Sequence, residues 1–224
     1  MMLGAGGFAL GYYLREKEQA RERATAKNTR VVGRALLGGP FSLVDHTGRP
    51  VTDATLLRDG QFGLLYFGFT RCPDICPSEL VKMTAVVGAL DRDREFAGRV
   101  TPIFVSVDPR RDSVAQVAHY IKDFHPRTVG LVGTPGQVAE ACKAFRVFFH
   151  SNANPLEPST AATGDPADED YLIDHSIVMY LVGPNGDFLD FYTQMADAKE
   201  VERRIKAQVS GYRPAASAPP TESE

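Results

Sequence analysis

Two cysteines stand four positions apart in FGFTRCPDICPSEL, the stretch from Phe67 to Leu80. A thiol pair has three uses: core packing, a redox couple, or a metal site. If the chain between them is helical or turn-like, the two Cα atoms lie ~6 Å apart. That is within reach of a disulfide, and it also lets both sulfurs face one ion. Prolines beside both cysteines, Pro73 and Pro77, argue against core packing. The familiar redox spacing is C-x-x-C, and here it is C-x-x-x-C. Two thiols alone leave zinc short of its four ligands. They suit copper(I), a soft ion content with two or three donors, and a histidine as third donor also accommodates copper(II). On the residues alone, the redox dithiol and the metal pair both stay open.

The neighbours of the pair decide what the sulfurs feel. FGLLYFGF, Phe62 to Phe69, is an unbroken apolar run, the pattern of a strand buried on both faces. Cys72 follows it, in the strand-end position where open α/β sheets place their sites. Pro77 reads as a first helical residue, which puts Cys76 at or near the N-cap. The partial positive charge there favours thiolate over thiol. Leu80, Met83, Val86, Val87 and Leu90 recur at helical spacing and predict a helix over 77–91.

Of the five histidines, His175 stands apart. It lies in YLIDHSIVMY, just before a strand expected to run beside the cysteine strand, and Asp174 precedes it as a carboxylate able to orient an imidazole. His46 reads as a surface turn residue, His119 as a mid-helix residue half exposed or packed, and His125 as a helix-end residue complementing the dipole. His150 opens a long polar stretch with nothing to fix it near a site. The third cysteine, Cys142 in AEACKAF, reads as a small buried hydrophobe.

The remaining elements must carry these residues. PFSLVDHTGRPVT predicts two short strands around a turn at 46–48. VTPIFVSVDP predicts a second buried strand over 100–109. SVAQVAHYIKDF predicts a helix capped by Asp112 or Ser113, VGLVG a short strand, and TPGQVAEACKAFRV a helix capped by Thr134. SIVMYLVGPNGDFLDFY predicts a hairpin around Pro184-Asn185-Gly186, and DAKEVERRIKAQV a last helix. Together they predict an α/β layer architecture, a central mixed sheet covered by helices on both faces.

Composition sets the outer bounds. The 224 residues suffice for one domain with extra length at both ends. A net charge of -3 gives no case for nucleic acid as a partner. Three cysteines are too few for a disulfide scaffold. MMLGAGGFALGYYL carries no charge before Arg15 and is shorter than the ~20 residues of a spanning helix. Residues 1–14 read as the end of a membrane anchor in a chain trimmed at its front, 15–34 as a charged stalk, and 213–224 as a disordered tail. The stretch from about His150 to Asp170 is a long polar loop. Its acids Asp165, Asp168, Glu169 and Asp170 read as a solvated face.

Several of these stretches, taken in order, resemble the Sco/SenC family of membrane-anchored, thioredoxin-like copper proteins. They are LLGGPFSL, YFGFTRCPDICPSEL, FVSVDPRRD, DFHPRTVGL and DEDYLIDHSIVMYLVGPNGDFLDFY, within about Gly33 to Tyr212. The resemblance implies a thioredoxin-like copper-binding domain over 35–212, with one copper ion, Cu(I) or Cu(II), held by Cys72, Cys76 and His175. It implies delivery of copper to the binuclear centre of cytochrome c oxidase subunit II, with subunit II and an upstream copper donor chaperone as partners. It also implies an anchor in the mitochondrial inner membrane with the domain facing the intermembrane space, or a bacterial cytoplasmic membrane with the domain facing the periplasm. A thiol–disulfide oxidoreductase acting on the subunit II cysteines, or a redox sensor, is the rival. Thioredoxins carry a cis-proline where this chain has His175, and a peroxidase would have threonine where it has Pro73. The loop before His175 is longer than the family pattern.

Overall fold

The computed structural model describes residues 37–57, 60–151 and 172–213. The expected anchor, the stalk, most of the long loop with its four acids, and all of the tail but Arg213 lie outside the described residues. All the described elements fall in one unit, Gly38–Glu224.

The core is a parallel trio of strands. Strand β3 (Phe62–Gly68) and strand β4 (Val100–Ser106) are buried at every position, as unbroken apolar runs require. Strand β5 (Val129–Val132) continues the parallel set beside β4. Antiparallel strands close both sides. Strand β1 (Ser42–Asp45) pairs with β5 and with β2 (Pro50–Thr52). Strand β8 (Val178–Val182) pairs with β3 and with β9 (Phe188–Thr193). The sheet therefore has seven strands in the order β2-β1-β5-β4-β3-β8-β9, the mixed sheet the sequence predicts. Among the described residues no helix is long and apolar enough to cross a membrane.

Local chemistry fixes most of the boundaries. In the β1–β2 turn the Asp45 carboxylate accepts from the Thr47 and Arg49 amides, and Gly48 takes φ +85°. A one-turn helix, α1 (Asp53–Leu56), follows β2. Helix α3 (Val114–Tyr120) starts on a Ser113–Gln116 capping box, and α4 (Pro135–Ala144) on a Thr134–Gln137 box with proline at its start. Helix α5 (Ala198–Gly211) is capped by Asp197.

Side-chain alternation assigns the faces. Tyr66 and its β4 neighbour Phe104 share one face, where Phe104 meets Tyr120 of α3. The long helix α2 (Ile75–Arg92) lies on that face too, against β4 and α5. Phe67 points the other way, onto Phe145 at the end of α4 and onto Tyr180.

Two boundaries differ from expectation. Strand β4 ends at Ser106, because the backbone bends at Val107 and turns from Pro109. Helix α2 begins at Ile75 with Asp74 as its N-cap, so Cys76 is inside the first turn and is not the cap. Pro77 is tolerated there because first-turn amides have no intrahelical acceptor. The polar stretch after Phe148 also starts in regular structure. Strand β6 (Phe149–Ser151) pairs antiparallel with β7 (Ile173–His175), so a two-stranded ladder ties the two ends of the long loop together.

Candidate metal centre

The sulfur pair sits at the junction of β3 and α2. Gly68, the last residue of β3, is needed there: a Cβ would lie 2.9 Å from Cys76 Sγ and 3.0 Å from Tyr66 Cε1. The missing side chain lets the first turn of α2 press its sulfur against the sheet. The loop between is pinned by Asp112, whose carboxylate accepts from the Thr70 amide (3.0 Å), the Thr70 hydroxyl (2.6 Å) and the Ser106 hydroxyl (2.7 Å). Asp112 is buried, and burial pushes its carboxyl above the usual range against the pull of those donors. The Cys72 amide donates to the Phe69 carbonyl at 3.2 Å, turning the chain into the helix.

Helix geometry then gives the two sulfurs different surroundings. The Cys76 amide, free in the first turn, donates to Cys72 Sγ at 3.4 Å. The thiol of Cys76 stabilises a thiolate at Cys72, and His175 and the Cys76 and Asp74 amides add to it. Against the cost of burial, they hold Cys72 down at about 4. Cys76 is pushed up instead, first by the negative sulfur of Cys72 beside it and then by its own burial. Cys72 is 8% exposed and Cys76 0%. The pair therefore reads as one thiolate at the rim and one thiol beneath it.

The imidazole comes from far along the chain. His175 ends β7, opposite Phe149, just before β8 enters the sheet beside β3. Its Nε2 lies 3.2 Å from Cys76 Sγ, and its Nδ1 lies 3.2 Å from the Ser176 carbonyl. With the ring proton on Nδ1, donated to that carbonyl, the Nε2 lone pair is free for a metal; with the proton on Nε2, the ring donates toward the sulfurs and supports the Cys72 thiolate. Tyr66 and Phe69 meet the ring edge-on, each with centroids 5.9 Å away. Arg111, paired with the buried Asp108, lies over Phe69 at 5.8 Å. The donor atoms of Cys72, Cys76 and His175 all lie within 4.8 Å of one another. Among the described residues this is the one group of three or more His, Cys, Asp or Glu side chains so gathered. Two sulfurs and one nitrogen, partly shielded by aromatic rings, form a donor set for a soft ion of low coordination number.

The expected orienting role of Asp174 is not met. Strand alternation sends it to the opposite face from His175, where it is exposed, and the Ser176 carbonyl does the work instead. The other histidines take no part. His46 is more than a surface turn residue: its Nδ1 accepts from the Gly130 amide at 3.2 Å, extending the β1–β5 pairing. His119 is exposed on α3. His125 is buried against Asp91, 3.3 Å away, and burial lowers its pKa, so it is not a charged helix cap. His150 lies in β6 opposite Asp174. Cys142 is buried, and burial pushes its thiol up to about 12, as suits a core hydrophobe. Tyr66, Gly68, Phe69 and Ser176 escaped the sequence reading. The first three looked like ordinary members of an apolar run, and Ser176 gave no signal.

Comparison with known proteins identifies the family. A model of the SCO1/SenC family matches residues 30–210. The human mitochondrial SCO1 homologue is 41% identical over 93% of this chain, and the chain covers 64% of its length. The Schizosaccharomyces pombe protein sco1 is 43% identical over 87% of this chain and 69% of its own. The chain thus spans about two thirds of the curated relatives it matches. The crystal structure of yeast Sco1 with copper bound superposes with a TM-score of 0.69 at 40% identity, covering 80% of this chain and 92% of that one. The mixed sheet, the strand-to-helix sulfur pair and these likenesses lead to one assignment: the chain belongs to the SCO1/SenC family.

Proposed function

We propose that this protein is a copper carrier in which Cys72, Cys76 and His175 hold one copper ion as cargo for cytochrome c oxidase assembly. The observation that carries the reading is the convergence of these donors within 4.8 Å, although the imidazole is 99 residues from Cys76 in sequence. The set fits the ion. Thiolates and an imidazole are soft donors, and three of them leave an edge open to an incoming ligand. Copper-bound structures of yeast and Arabidopsis thaliana relatives support the choice of metal.

Loading removes the Cys76 proton, since Cys72 already stands as thiolate, and uses a ring nitrogen lone pair of His175. Release proceeds by ligand exchange at the rim, where Cys72 and the half-buried His175 are within reach of a partner. That partner is subunit II of the oxidase, whose binuclear copper centre receives the ion, and an upstream copper chaperone supplies it. The relatives named mitochondrial support a mitochondrial location; the family resemblance adds the inner membrane, with residues 1–14 as part of the anchor, 15–34 as the stalk and 35–212 facing the intermembrane space.

The depressed Cys72 thiol favours a second reading, a thiol–disulfide oxidoreductase acting on the subunit II cysteines. Oxidation to a Cys72–Cys76 disulfide would remove both sulfur donors, so either chemistry makes the carrier sensitive to redox poise. Titration of the reduced chain with copper(I) against a chromophoric chelator tests the first reading. We expect about one copper per chain, and at least ~100-fold weaker binding in His175→Ala, since even outer-shell losses cost 10–100-fold. Undiminished binding in the variant would overturn the ligand set. Rapid copper-free reduction of an oxidised subunit II peptide would favour the second reading.

A further inference from the structure

Cys76 is the donor that solvent does not reach, and one side chain addresses its sulfur with a hydroxyl. Tyr66, fully buried on β3, donates its O–H to Cys76 Sγ at 3.7 Å. The sheet fixes the phenol in place. Tyr66 pairs with Phe104 on one side and Met179 on the other, and the bare Cα of Gly68 leaves room between its ring and the sulfur. The same ring stands edge-on to His175. A phenylalanine would pack this strand as well, and a buried hydroxyl without a partner costs about 1–3 kcal/mol. The hydroxyl is thus the part of Tyr66 that the core does not require, and it points at a proposed ligand.

Resting on the copper reading above, we propose that Tyr66 is a positioning residue that sets the preferred oxidation state of the ion through Cys76. Two thiolates, a neutral imidazole and copper(I) carry a net charge of -1, and with copper(II) the charge is zero. A fixed dipole with its positive end on the sulfur stabilises the more negative state. In a buried site that preference is not screened away. Tyr66 therefore holds the cargo as copper(I). The electron change is the ion's own, copper(II) plus one electron giving copper(I), and the phenol keeps its proton throughout.

The test compares the full chain with Tyr66→Phe, each loaded with one equivalent of copper. The readouts are the copper(II)/copper(I) potential and the thiolate-to-copper(II) absorption. The variant keeps the ring and its contact with His175 and loses the donor alone. We expect its preference for copper(I) over copper(II) to fall about tenfold, a potential lower by about 59 mV for one electron. The absorption should move to lower energy as the sulfur loses its hydrogen bond. Placing 3-fluorotyrosine at position 66, a stronger donor of nearly the same shape, should move the potential the other way. It carries the test if Tyr66→Phe does not fold. A variant that binds one copper at the parent potential, or a fluorinated chain with no shift, would overturn the inference and leave the copper reading standing. A parent chain that binds no copper would overturn both.

Discussion

The two halves of the candidate metal centre are built differently. The sulfur half is continuous with the core. Gly68 closes β3, Asp112 ties the loop to the end of β4 through three hydrogen bonds, and Asp108 and Arg111 form a buried pair behind Phe69. The imidazole half rests on a three-residue ladder between β6 and β7 and on the hydrogen bonds between Ser176 and Phe148, one backbone to backbone and one through the Ser176 hydroxyl. Phe148 beside it is 84% exposed. The proposed carrier role needs both properties in one site. A rigid sulfur pair keeps a soft ion from being lost to solvent, and a donor on a slight support can yield when another ligand arrives. The contrast predicts that damage to the first half appears as lost stability, and damage to the second as lost affinity.

The largest expected effect lies within the sulfur pair. Cys72 is held as thiolate at about 4, whereas Cys76 is pushed up and has no exposed surface. Timed alkylation of the reduced, metal-free chain with iodoacetamide should modify Cys72 at least ~100-fold faster than Cys76 or Cys142 near neutral pH. A depressed thiol keeps its reactive form as the pH falls, so the Cys72 rate should hold steady from pH 8 to pH 5. It should drop only as the pH passes about 4. Equal labelling of Cys72 and Cys76, read by peptide mass, would show that the asymmetry is not real.

Next in size is Asp112→Ala. It strips three donors of their buried acceptor at once, and we expect a loss of about 3 kcal/mol in urea unfolding. The comparison is sharpened by running His175→Ala beside it. That variant should unfold within about 1 kcal/mol of the parent while losing copper. Similar losses of stability in the two variants would erase the distinction between the halves.

Legibility in the sequence follows the same division. The sulfur half was readable because its signals are local. An apolar run, a C-x-x-x-C turn and a helical repeat lie side by side from Phe62 to Leu90, and they yielded β3 and the existence of α2. The α2 start was misplaced by two residues, because Pro77 is favoured at the first helical position yet equally permitted two residues later. The imidazole half depends on non-local pairing. Nothing in FFHS announces a partner beyond the long loop, so β6 and β7 were invisible, and with them the alternation that turns Asp174 outward. His175 itself was picked out by its place before β8, and its role as ligand rested on a family resemblance. Tyr66 carried no signal, since a tyrosine in an apolar strand looks like packing until its hydroxyl is found against a sulfur.

Ser176→Ala probes the slighter half. The Ser176 hydroxyl accepts from the Phe148 amide at 2.9 Å, while the Ser176 amide, which the variant keeps, donates to the Phe148 carbonyl at 2.8 Å. Removing the hydroxyl should cost at most about 1 kcal/mol of stability. Because the same residue's carbonyl receives His175 Nδ1, copper(I) affinity should fall by roughly the tenfold that an outer-shell loss at its mildest gives. Chelator competition and urea unfolding on the same preparations measure both. A large stability loss with unchanged affinity would reverse the assignment of the two halves.

The smallest effect concerns how the chain reaches the imidazole half. Helix α4 ends in a Schellman motif: the Val147 amide donates to the Cys142 carbonyl at 2.8 Å and the Arg146 amide to the Lys143 carbonyl at 3.2 Å. That motif places the residue just past its cap, the C′ position, in the left-handed region, where glycine is usual, yet Arg146 stands there at φ 51°. A non-glycine residue in this conformation costs about 1–2 kcal/mol, partly offset by the entropy glycine loses on folding. Arg146→Gly should therefore stabilise the protein by ~0.5–1 kcal/mol and raise its Tm by a few degrees. Copper affinity should not change, because the turn only sets the direction in which the chain runs on to Phe148 and β6. A variant that gained stability but bound copper less well would mean that the arginine side chain, and not only the turn, serves the imidazole half. The imidazole half would then extend to the charged surface around it.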